Sequence, residues 1–252
     1  EIYTLSLHER SSDLLPHLGS MRKAARVVRF DARRMLLEGQ PDEAAQRIAT
    51  LYRMAGHLKK DSVLISSLVS AAVSSMANSE AEVLLQSGKL TAVGREAIVA
   101  AAEGLGRTDP YGVKAAVQGE RWITSKWIRD TFPGPGAGAK FAEKVKQEWG
   151  IAEGQWPGLE QIATLDAAGM NKALDQIDQY HALIQTQWDL PDASERLEVI
   201  SSRAKAGEFG PFSAFLAPDL HKARQAQTKA ESELQATLNR LKKHTPQAAN
   251  PK

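Results

Sequence analysis

Apolar residues recur at spacings of three and four along most of this sequence, and nowhere do they alternate with polar residues over the length of a strand. That periodicity belongs to helices with one buried face, and the missing period of two leaves no sheet to build a core on. The expected fold is therefore all-α, an irregular bundle or short α-superhelix of antiparallel helical hairpins.

The punctuation between helices sharpens this picture. From about residue 20, Met21, Ala24, Val28, Ala32 and Met35 fall at helical spacing, and Gly39-Gln40-Pro41 stops that helix and starts the next. Proline suits a first helical position because its missing N–H would have had no partner, and Asp42 and Glu43 suit the positive end of the helix dipole. The second helix carries Ala44, Ala45, Ile48, Leu51, Tyr52 and Ala55 toward Gly56. So short a turn makes the pair an antiparallel hairpin. Residues 63–76 are apolar around most of the circumference, as in a helix packed centrally. Ser79 with Glu82 forms a capping-box pattern that opens a short helix, Thr91 can cap the next, and Asp109-Pro110 opens a long one ending near Thr131.

Two prolines and three glycines within 132–138 cannot sustain a helix and mark the best boundary. We expect an N-terminal hairpin region over 1–131 and a Gly/Pro-rich, irregular connection over 132–168, helical only near 140–149. C-terminal helices over 169–243 pack back on the first region, and a disordered tail covers 244–252. Ala173, Leu174, Ile177, Ile184 and Trp188 share one face, Asp192 with Glu195 can cap the next helix, and a last helix runs to Lys243 with its apolar seam broken at Gln227.

Composition excludes several chemistries. The 252 residues contain no cysteine, which removes disulfides, thiol catalysis and cysteine-held metals. Basic and acidic residues number 32 and 30, a balance that argues against bulk attraction to nucleic acid. The longest apolar stretch falls short of the roughly 20 residues of a membrane helix, so no transmembrane segment is expected. The chain opens on Glu1 rather than methionine, and we expect an upstream segment in which a signal or anchor would lie.

The run Gly39-Gln40-Pro41-Asp42-Glu43-Ala44-Ala45, followed by Ile48, Leu51 and Ala55, resembles the inter-helix turn and second helix of a tetratricopeptide unit. No equivalent pattern returns about 34 residues on, so a regular array is not expected. A wider span, 21–127, is similar to a group of uncharacterised helical proteins common in planctomycetes. The segments that carry the similarity include Arg29-Phe30-Asp31-Ala32-Arg33, Leu51-Tyr52-Arg53-Met54-Ala55-Gly56-His57-Leu58, Leu64-Ile65-Ser66-Ser67-Leu68-Val69 and Gly119-Glu120-Arg121. The resemblance implies an all-helical protein of the cell envelope or exported from the cell, and no activity.

Candidate sites are few. Arg22, Arg26, Arg29 and Arg33 share one side of the first helix, with Lys23 and Arg34 at its margin. Such a face can dock an acidic protein, an anionic lipid surface or a phosphate backbone. Phe30 and Leu37 fall among the arginines, so part of the face is expected to pack on another helix, the arginine stems covering apolar neighbours. Glu120 shares a face with Val113, Val117, Thr124 and Trp127. It is expected to be partly buried, either in an inter-helix pocket or in a structural ion pair with an arginine of a neighbouring helix. His181 follows Asp178 by less than one turn, but two groups do not make a metal site, and a packed histidine is the simpler reading. Residues 134–140 lack the Gly-Lys-Ser/Thr ending of a phosphate-binding loop and are expected to be an ordinary loop. Of the five tryptophans, Trp127 and Trp188 are expected in the core, and Trp156, in irregular chain beside Pro157, is the best candidate for an exposed binding aromatic.

No metal, cofactor or catalytic set is implied by these residues. The expected function is a non-catalytic interaction or scaffold module that binds a protein segment. Two alternatives stay open: a small-molecule binder or enzyme with a pocket near Glu120, and peripheral membrane attachment through the basic helix.

Overall fold

The computed structural model describes residues 16–150, 156–216 and 220–244. Among them are eleven α-helices and no strand. In chain order these are α1 (Pro16–Leu37), α2 (Pro41–Leu58), α3 (Leu64–Gln86), α4 (Ala92–Glu103), α5 (Val113–Thr131), α6 (Ala137–Trp149), α7 (Pro157–Ala163), α8 (Ala167–Gln187), α9 (Ala193–Lys205), α10 (Gly210–Leu216) and α11 (Leu220–Lys243). The all-α expectation holds. The described residues within 1–116 and 226–252 form one unit and those within 117–225 another. The 132–138 stretch thus lies inside the second unit, and residues 226–243 of the last helix belong to the first. Residues 245–252, the bulk of the expected tail, lie outside the described residues.

The first unit is organised around α2, which packs against α1, α3 and α4. Its entry turn is the expected one: Gly39 takes φ 77°, a left-handed conformation costly for a residue with a Cβ, and Pro41 opens the helix. Because three neighbours surround it, α2 buries Ala44, Ala45, Ile48, Ala49, Leu51, Tyr52, Ala55 and Leu58 rather than a single narrow stripe. Small residues at 44, 45, 49 and 55 let the neighbouring backbones come close.

Helix α3 solves the same crowding with serine. Ser66, Ser67, Ser70 and Ser74 are all buried, and three have partners beyond their own helix. Ser67 donates to the Gly112 carbonyl at 3.0 Å, Ser70 donates to the Ala55 carbonyl at 2.8 Å, and the Ser74 hydroxyl lies 3.2 Å from that of Tyr111. A hydroxyl scarcely larger than a methyl can pack tightly and still satisfy a backbone acceptor, at a net gain of about 1 kcal/mol per bond. Tyr111 in turn donates to the Ala230 carbonyl at 3.0 Å, and Tyr52 donates to Asn78 Oδ1 at 2.6 Å. Burial pushes the Tyr111 phenol up to about 12 and the Tyr52 phenol further still, so both remain donors at any physiological pH.

Three local expectations need correction here. Ser79 and Glu82 do not open a helix, because α3 runs unbroken from Leu64 to Gln86; its packing on α2 supports residues that would cap a free helix end. The long helix starts at Val113 rather than Pro110, since Asp109 adopts φ 48° and its carboxylate reaches forward to accept from the Ala115 N–H at 3.1 Å. Gln227 does not weaken the seam of the last helix: it is buried, and its amide donates to Asp109 and Glu231. Thr91 does cap α4, accepting from the Gly94 N–H at 3.0 Å.

The second unit is held by aromatic rings. Phe141 sits 5.4 Å from both Phe132 and Phe212 in edge-to-face contact, and Trp127 and Phe215 join the cluster. Gly138 makes the packing possible. A Cβ there would overlap the Ile162 carbonyl oxygen and lie 2.7 Å from that of Leu165, whereas the glycine N–H donates to the Leu165 carbonyl at 3.2 Å. The segment expected to be irregular contains α7, opened by Pro157. Asp166 caps α8 through the Gly169 N–H at 2.7 Å. Asp192 makes no capping bond and pairs instead with Arg196 at 2.7 Å.

Candidate functional site

Helix α1 distributes its side chains in an unexpected order. Ala25 and Ala32 are its fully buried residues near mid-helix. On one flank Arg29 and Arg33 converge on Glu80 of α3, with Nε–Oε distances of 2.6 and 2.7 Å, one arginine on each carboxylate oxygen. Glu80 is only 2% exposed. Two guanidinium partners offset a desolvation cost that would otherwise exclude an ionised carboxylate from the interior. The same contact raises the Arg33 pKa.

The outer face, turned away from Ala25 and Ala32, is open. Val27, Phe30 and Leu37 are 67, 69 and 86% exposed. Phe30 and Leu37 therefore do not pack against another helix, and the part of the expected basic face that does is Arg29 with Arg33. Arg29 and Arg33 turn toward the protein because α3 offers a buried anion. The apolar residues 100° or so around the helix have no neighbour to cover them. Arg22, Lys23 and Arg26 are exposed on the first half of the same helix and form no ion pair among the described residues. Arg34 is engaged by Asp31 at 2.9 Å and Glu38 at 2.8 Å. Asp31 also accepts from Arg47 at 2.5 Å, and these guanidiniums hold its carboxyl below the usual range.

Lys23, Val27, Phe30, Arg34 and Leu37 succeed one another at intervals of 4, 3, 4 and 3. They form a single row about 21 Å long at 1.5 Å per residue. An unpaired 3,4 row is the surface a helix presents to another helix.

In the second unit, α5 and α8 border an open groove of about 690 Å³. Its walls include Arg121, Trp122, Ser125, Lys126, Arg129 and Asp178. Arg121 pairs with Asp178 at 3.0 Å, Arg129 with Asp175 at 2.9 Å, and Lys126 with Asp130 at 2.5 Å. Ser125 donates to the same Asp178 oxygen at 3.2 Å. Each cation is thus matched by a carboxylate. Glu120 is half-buried but does not line the groove.

Behind the groove lies His181, 6% exposed, with its Nδ1 buried and without a hydrogen-bond partner. Burial first, then the Arg121 charge, lowers its pKa to about 4, with Asp178 acting in the opposite sense. It is a packed, neutral histidine. No group of three or more potential ligands that could hold a metal occurs among the described residues. Likewise, none of the described helices is long and apolar enough to cross a membrane.

The tryptophans are placed differently from expectation. Trp188 is core, but Trp127 is 41% exposed, resting one edge on Phe132 and Phe141. Trp156 is half-buried against Phe215 at 5.4 Å, so it anchors its segment rather than offering a free ring. Among the tryptophan side chains described, Trp122 is the most exposed. Glu80 escaped the sequence reading, although one signal for it was present: a carboxylate between Ala77 and Ala81, the first charged residue of a helix rich in apolar and small residues. No family model matches the chain, and neither the curated proteins nor the solved structures contain a significant match.

Proposed function

We propose that this chain is a non-catalytic helical interaction module that holds a protein segment on its surface. One observation carries the reading: three large apolar side chains stand uncovered in a helix-pairing row on α1. Grouped apolar exposure on an otherwise charged surface marks interaction sites far more often than scattered exposure does. The groove beside Trp122 gives the small-molecule alternative less support, because its charges are already mutually neutralised. An envelope location, which the planctomycete resemblance implies, belongs to the same proposal.

The test is affinity capture of the full-length chain from its own cells, followed by crosslinking and mass spectrometry. A near-stoichiometric protein crosslinked to this chain supports the reading. A chain recovered without protein, carrying a small molecule protected by the α5–α8 groove, overturns it.

A further inference from the structure

We infer that the row on α1 takes an acidic amphipathic helix from a partner protein, laid along Lys23, Val27, Phe30, Arg34 and Leu37. The inference rests on the interaction-module reading and adds the surface and the chemistry of its occupant.

Geometry selects a helix. The row is one side chain wide, keeps the 4, 3, 4, 3 spacing, and lies on the side of α1 turned away from Ala25, Ala32 and Glu80. A partner helix covering it needs apolar residues opposite Val27, Phe30 and Leu37 at the matching spacing. A lipid surface would favour a broad apolar face with charges at its edges, whereas here Asp31 and Glu38 border the row directly and Lys23 and Arg34 interrupt it.

Charge selects the partner's sign. Lys23 stands in the row and Arg22 and Arg26 flank its first half, all three without carboxylate partners among the described residues, whereas Arg34 is already held by Asp31 and Glu38. A second copy of this helix answers that charge only in part. Paired antiparallel about Phe30, two copies oppose Arg26 to Arg34 and Lys23 to Leu37, and of those three cations only Arg22 meets a carboxylate, Glu38. Paired in parallel, they oppose Lys23 to Lys23 and Arg34 to Arg34. Neither register gives Lys23 or Arg26 a carboxylate, and like-charge juxtaposition is what coiled coils use to reject partners. Glutamates on a different helix, facing Arg22, Lys23 and Arg26, supply what is missing.

The probe is a labelled synthetic helix of 18 residues, with leucines at 3,4 spacing flanked by glutamates, and a control in which every glutamate is lysine. Binding to the full-length chain is read by fluorescence anisotropy. The acidic helix is expected to bind and the basic one not. The double variant F30S/L37S, whose fold is checked by circular dichroism, should weaken binding at least ten-fold. The variant K23E/R26E should exchange the preference and take the basic helix. The inference is overturned if the acidic helix fails to bind, or binds F30S/L37S as well as the parent. It is also overturned by a dimer of the parent chain in sedimentation that F30S/L37S abolishes, which would make a second copy the occupant. Binding to phosphatidylserine vesicles with the same Phe30 and Leu37 dependence, in place of helix binding, would make it a membrane. A captured protein crosslinked elsewhere on the chain would sink this inference alone, whereas recovery with no protein would sink the broader reading as well.

Discussion

Acid should destabilise the second unit through His181, and the size of the effect follows from its surroundings. The imidazole is buried, with Arg121 and Asp178 as its charged neighbours, and its pKa falls from 6.5 to about 4. Between those values the unfolded chain binds a proton that the folded chain refuses. The contribution of this residue to stability is therefore complete above about pH 6.5 and is lost as the pH falls toward 4. The full shift corresponds to about 3 kcal/mol, of which about 2 kcal/mol should disappear between pH 7 and pH 5. His181→Phe keeps a ring of similar size and has no proton to accept. Because Nδ1 makes no hydrogen bond, the substitution breaks none there.

The chain supplies its own probe. All five tryptophans, at 122, 127, 149, 156 and 188, fall within 117–225, so tryptophan fluorescence follows the unfolding of that unit and not of the other. Urea unfolding at pH 7 and pH 5, for parent and variant, yields a double difference in which titrations common to both proteins cancel. The variant should lose about 2 kcal/mol less than the parent over that interval. Equal losses in the two proteins would refute the reasoning, since they would mean that His181 reaches water in the folded state.

Other substitutions test the packing. Glu80→Gln should destabilise the first unit by about 3 kcal/mol, the low end for breaking a buried pair, because the two arginines are partly exposed and can turn to water; thermal unfolding followed through Tyr52 and Tyr111 would report it. Gly138→Ala should cost more than about 3 kcal/mol, since its methyl would meet the 162–165 backbone rather than a movable side chain; the tryptophan-detected urea midpoint measures this. Phe30→Ser and Leu37→Ser should each change stability by less than about 0.5 kcal/mol, and a loss of several kcal/mol in calorimetry would show that these residues are covered in the free protein.

The helices were legible because their periodicity is a property of each segment alone. The α1–α2 hairpin could be read to within a few residues from Gly39 and Pro41, and the cap at Thr91 from its side chain. Errors arose where tertiary contact overrode local preference. Ser79 and Glu82 have the chemistry of a helix start, yet they lie within α3 because a continuous helix buries Ala77, Ala81 and Leu84 together. Residues 150–168 look irregular because Pro157 and Gly158 interrupt the pattern. The structure uses both, proline as a helix opener and glycine where a Cβ would come within 2.8 Å of the Pro211 carbonyl oxygen.

The site was harder to read, for a reason that α1 makes concrete. Periodicity assigns residues to faces, but it does not say which face meets the protein. On α1 the arginines and the large apolar residues are close enough around the helix that hydropathy alone turns Phe30 and Leu37 inward and the arginines outward. That ordering fails because of one residue 47 positions beyond Arg33: Glu80, carried into the interior by α3, satisfies two guanidiniums that would otherwise seek water. An arginine pair held this way fixes the rotation of α1 about its axis, and with that rotation fixed Phe30 and Leu37 have nowhere to go but outward. The buried ion pair and the exposed apolar row are then one feature. If so, Glu80→Gln should loosen the rotation and reduce the exposure of Phe30 and Leu37, so that the variant binds less of a hydrophobic dye at the α1 surface while it remains folded. Unchanged dye binding, with Phe30 still required for it, would separate the two features and leave the exposed row without a structural cause.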